Sequence, residues 1–67
     1  METKDYKVVL IYEDGSRDAV TVTADDLATV MKISRGWLLT SSSAVMVRYY
    51  QVDKPSVEGT YIREPER

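Results

Sequence analysis

Sixty-seven residues leave room for one domain, and with 43% hydrophobic and 30% charged residues the chain falls among ordinary globular proteins, not disordered ones. There is no histidine and no cysteine, which removes the commonest near-neutral acid–base groups, thiolate nucleophiles and soft metal ligands, together with any disulfide framework. The net charge of −2 is unevenly spread: residues 1–31 hold seven acids and three bases, residues 32–67 four acids and six bases, a polarity that can orient a charged partner.

Tyr6-Lys7-Val8-Val9-Leu10-Ile11-Tyr12 is rich in β-branched and aromatic residues and ends at Glu13-Asp14-Gly15-Ser16. Ala19-Val20-Thr21-Val22-Thr23 then alternates apolar and hydroxyl residues, the pattern of a β-hairpin. Two turns compete. A two-residue Asp14-Gly15 turn sets Val9 opposite Val20, whereas a Glu13-Asp14-Gly15 loop with Gly15 left-handed sets Val8 opposite Val20. The second is preferred, and it puts Val8, Leu10 and Tyr12 on the same face as Val20 and Val22. In either register the first strand is apolar on both faces, as in a central strand or in a sheet whose second face meets a partner.

Thr23-Ala24-Asp25-Asp26 reads as a helix start with Thr23 as cap and two acids near the positive end of the dipole. The helix is expected from about Ala24 to Ser34, with Leu27, Val30, Met31 and Ser34 as its apolar stripe. Lys32 and Arg35 fall in its last turn and Gly36 at its left-handed end. Trp37-Leu38-Leu39-Thr40 is read as a short strand or packed loop and Ser41-Ser42-Ser43 as a turn. Ala44 to Val52 is strongly β in composition, with Val45, Val47, Tyr49 and Gln51 alternating against Ala44, Met46, Arg48, Tyr50 and Val52.

These elements predict an α+β fold: a small, mainly antiparallel sheet with one helix on one face, in β-β-α-β order, the first strand lying between the second and the third. Residues 1–52 form the compact domain. Residues 53–67 are a C-terminal extension in which Thr60-Tyr61-Ile62 adds a short edge strand and Arg63-Glu64-Pro65-Glu66-Arg67 a frayed tail. The opening Met-Glu-Thr-Lys-Asp lacks the apolar core of a signal peptide, and no run approaches the ~18 apolar residues of a membrane helix. A cytoplasmic protein with no membrane association is expected.

No catalytic, cofactor-binding or metal-binding residues emerge. Asp25 and Asp26 point about 100° apart if helical, so they do not converge on one cation. Ser41-Ser42-Ser43 has no histidine base, and Gly15, Gly36 and Gly59 are too scattered for a phosphate loop. Arg48, Tyr49 and Tyr50 on a strand are able to stack on bases, but a pI near 4.9 argues against the basic footprint that nucleic-acid binding needs. The residue types enriched in protein interfaces are present, and the expected partner-binding set is Trp37, Arg48, Tyr49, Tyr50 and Tyr61. Tyr49 and Tyr50 point to opposite strand faces, so only one of them meets the helix.

Small size, missing catalytic chemistry and β-β-α-β order together resemble the small accessory proteins by which phages and mobile elements bind and inhibit host proteins. The expected function is a non-enzymatic, cofactor-free protein-binding module, an inhibitor or regulator of a larger protein or macromolecular complex. The alternatives are a self-associating structural subunit, such as a homodimer paired through a free third strand or a shared sheet face, and a nucleic-acid-binding module.

Overall fold

The computed structural model describes residues 2–63. Among these, the chain runs β1 (Lys4–Tyr12), β2 (Arg17–Ala24), α1 (Leu27–Thr40), β3 (Ala44–Gln51) and β4 (Glu58–Ile62). The strands form one antiparallel sheet ordered β2-β1-β3-β4, with α1 on one face, lying chiefly over β3. This is the expected α+β fold, with β1 between β2 and β3. Because β2 and β3 both run antiparallel to β1, they are parallel to each other and need a crossover, which α1 provides.

The hairpin takes the three-residue loop. Val8 pairs with Val20, the Tyr12 N–H donates to Ser16 O at 2.9 Å and the Gly15 N–H to Tyr12 O at 3.0 Å. Gly15 has φ 87°, a conformation that costs other residues strain. Asp14 stabilises the loop by accepting from both the N–H and the hydroxyl of Ser16, at 2.9 and 2.6 Å. Tyr6, Val8 and Leu10 therefore point under the helix, where they are buried with Val47 and Tyr49.

The helix departs from expectation at both ends. Its cap is Asp26, whose carboxylate accepts the Thr29 N–H at 2.9 Å, because Ala24 stays in β2, buried and paired with Lys4. Thr23 instead donates its hydroxyl to Asp5 at 2.8 Å. At the other end the helix passes through Gly36 and includes Trp37 to Thr40, since the stripe Leu27, Val30, Ser34 continues onto Trp37 and the fully buried Leu38. Met31, assigned to that stripe from spacing, is largely exposed. The one buried polar residue of the helix, Ser34, donates its hydroxyl to Val30 O at 2.7 Å.

Two predictions arise here. A Cβ at Gly36 meets open space, and glycine in an exposed helix interior costs roughly 0.5–1 kcal/mol relative to alanine. Gly36→Ala therefore raises Tm by about 2–8 °C in a thermal circular-dichroism scan; an unchanged or lower Tm means that the helix does not run through this residue. The second concerns acid. The bond from the Thr29 amide holds the Asp26 carboxyl below its ordinary value, so its contribution is complete above the ordinary carboxylate range and is lost as pH falls through the lowered value. Asparagine caps as well but does not titrate. Asp26→Asn therefore keeps its Tm at neutral pH and loses less of it than the parent below about pH 4, and parallel Tm–pH curves contradict this.

β3 carries a bulge: Ile11 pairs with Met46 but Tyr12 with Ala44. Ala44 and Val47, three residues apart, are consequently both buried, where strict alternation puts them on opposite faces. β4 is an integral edge strand, and Gly59 lies opposite the buried Tyr49. Arg63, grouped by the sequence with a frayed tail, is instead half-buried and extends the ladder by donating its N–H to Val45 O at 2.9 Å. Its guanidinium donates to Ser42 O at 3.2 Å and to Leu38 O. The last turn of α1 has no base of its own, so Arg63, arriving from β4, supplies the positive charge that the helix C-terminus favours. The rest of the supposed tail, residues 64–67, lies outside the described residues.

Candidate binding surface

With one helix on a four-stranded sheet, one sheet face has no covering layer among the described residues. Pairing sets what lies on it. One row runs Arg17, Ile11, Met46, Ile62; the next Ala19, Val9, Arg48, Thr60; the third Thr21, Lys7, Tyr50, Glu58. Val9, Ile11, Met46 and Tyr50 are half-buried by their neighbours alone, and Ile62 is 63% exposed. The two central strands carry the apolar residues, with Lys7 and Arg48 interleaved among them, Arg17 on the β2 edge and Glu58 on the β4 edge.

The expected partner-binding residues do not form one site. Arg48 and Tyr50 lie on the uncovered face, two residues apart on β3. Tyr49 is 6% exposed in the core beneath the helix. Trp37 is half-buried in α1, in the opposite layer from Arg48 and Tyr50. Tyr61 is half-buried on the helix side of β4, where the Arg35 guanidinium stands 5.2 Å from its ring centroid. The sequence reading missed Val9, Ile11, Met46 and Ile62 as members of the surface, although the two-sided apolar character of β1 already contained the signal.

A shallow cleft of about 260 Å³, lined by Tyr12, Glu13, Asp14, Ser16 and Ser43, lies at the hairpin end and falls below the usual size of small-molecule pockets, roughly 300–1,000 Å³. Three of its polar side chains, those of Tyr12, Asp14 and Ser16, are engaged in local hydrogen bonds. Tyr12 donates its hydroxyl to Asp18 at 2.6 Å, and that bond raises the phenol above its ordinary value; the Ser16 hydroxyl and amide lower the Asp14 carboxyl. Among the described residues no group of three or more acids gathers as a metal site, and no helix is long and apolar enough to cross a membrane. Comparison with protein-family models, curated proteins and solved structures finds no match.

Proposed function

We propose that this protein is a non-enzymatic binding module that regulates or inhibits a larger protein assembly by laying its uncovered sheet face against it. The observation that carries the reading is the composition of that face: apolar Val9, Ile11, Met46 and Tyr50 on the two central strands, interleaved with Lys7 and Arg48 and flanked by Arg17 on β2, the aromatic, methionine and arginine mixture found in protein interfaces. The cations fit a partner surface in which acidic groups alternate with apolar ones. A cytoplasmic setting belongs to the same reading, since a chain without cysteine needs no oxidising compartment.

The test begins with the purified protein as bait in a lysate of cells that carry its gene. The captured partner is then titrated against Tyr50→Ala and Met46→Glu. Truncating the aromatic of this face, or placing a carboxylate among its apolar residues opposite the partner's acids, weakens binding at least tenfold, while surface changes of this kind move stability by under about 1 kcal/mol. Unchanged affinity for both variants removes the face from the interface. Weakened binding with an equal loss of Tm makes Tyr50 a structural residue instead.

A further inference from the structure

Self-association through the third strand is ruled out by topology, because β3 lies inside the sheet; the free edges are β2 and β4. The two edges differ. β4 is the shorter edge, five residues that begin with the charged Glu58, include Gly59 and lead into Arg63, features that blunt strand pairing. β2 has at its middle Ala19-Val20-Thr21-Val22-Thr23, with no charge, proline, glycine or bulge to blunt pairing. Since Arg35 faces β4, the flank of α1 about 200° round from it, where Ile33 lies, faces β2. Val20 and Ile33 are 44% and 45% exposed along that edge.

We infer that β2 is the two-fold interface of a homodimer in which the two sheets join into one of eight strands, both helices on the same side. This interface runs along the β2 edge and leaves the part of the face on β1 and β3 assigned to a partner above uncovered; Arg17 and Thr21 border both. The phase of the hairpin sets the register. Tyr12 and Ser16 are a hydrogen-bonded pair, so alternate residues Asp18, Val20, Val22 and Ala24 direct their backbone groups at β1, while Arg17, Ala19, Thr21 and Thr23 direct theirs outward. Outward residues must meet outward residues across the axis, which leaves two near-complete overlaps. An axis at Val20 sets Asp18 against Val22 twice. An axis at Thr21 sets Val20 against Val22, Thr21 against itself and Asp18 against Ala24, and brings Arg17 to Asp25 just beyond the strand, so the two valines meet each other and Arg17 meets an opposite charge. The second is the register of the dimer.

The chain has no cysteine, so Thr21→Cys places a single thiol beside the axis. Sedimentation of the intact protein over a concentration series is expected to give twice the chain mass, dissociating on dilution. Thr21→Cys, bridged by a short bis-maleimide, is expected to become a covalent dimer while Thr60→Cys on β4 does not. Val20→Lys, which sets two ammonium groups near the axis, and Thr21→Pro, which removes only an outward N–H, are expected to weaken the dimer at least tenfold with unchanged circular dichroism. A single chain mass at every concentration overturns the inference. So does a dimer that both variants leave intact and Thr21→Cys fails to bridge. Should Val20→Lys or Thr21→Pro not fold, the Thr21→Cys result decides, since it alters only an exposed hydroxyl.

Discussion

Leu38→Ala is expected to lower the stability of the fold by about 2–5 kcal/mol, the cost of emptying a buried leucine site. At roughly 0.05–0.15 kcal/mol per residue a chain of this length has only about 3–10 kcal/mol in total, so the variant is expected to be partly or wholly unfolded at 37 °C. Leu38 is fully buried in the last turn of α1, and its carbonyl accepts from Arg63. Losing its side chain thus loosens the sheet contact of the turn that receives Arg63. Urea unfolding followed by far-ultraviolet circular dichroism measures the loss. A change below about 1 kcal/mol, the size of a surface effect, means that residues 37–40 are not packed as helix.

Gly59→Ala, a gain of one methyl group, is expected to cost about 1–3 kcal/mol by overpacking. The new Cβ overlaps the far end of the Tyr49 ring, and Tyr49 is buried with little room to swing aside. Glycine is otherwise a poor strand residue, which makes the sign of the effect informative. In a Tyr49→Val background the overlap is gone, and Gly59→Ala is expected to turn neutral or stabilising. A double-mutant cycle in thermal unfolding reads this coupling; equal effects of Gly59→Ala in both backgrounds disprove the ring-over-glycine arrangement.

The candidate surface was half legible beforehand. That β1 is apolar on both faces, and that Tyr49 and Tyr50 diverge, follow from a side-chain period of two. Which tyrosine turns inward does not follow, because it depends on how β3 registers against β1 and on a bulge at its start. Trp37 was misplaced for a local reason. Gly36 suggested a helix stop, yet the burial available to Trp37 and Leu38 on the sheet exceeds the roughly 1 kcal/mol that a helical glycine costs. Arg63 was misread because its function lies 25 residues away in sequence, at the Leu38 carbonyl.

By itself, then, the sequence determined the hairpin and narrowed its register to two with the observed one preferred, and it determined one helix between the hairpin and a third strand, and the α+β class. These rest on short-range rules: a turn with one glycine able to take positive φ, alternation along strands and an apolar stripe along a helix. Only the tertiary structure decided where the helix starts and stops, that β4 and Arg63 complete the sheet and the helix end, which sheet face stays uncovered, and which edges remain free. Each of those is settled by burial and pairing between segments far apart in the chain, where the free energy of packing outweighs the local preferences that a single sequence displays.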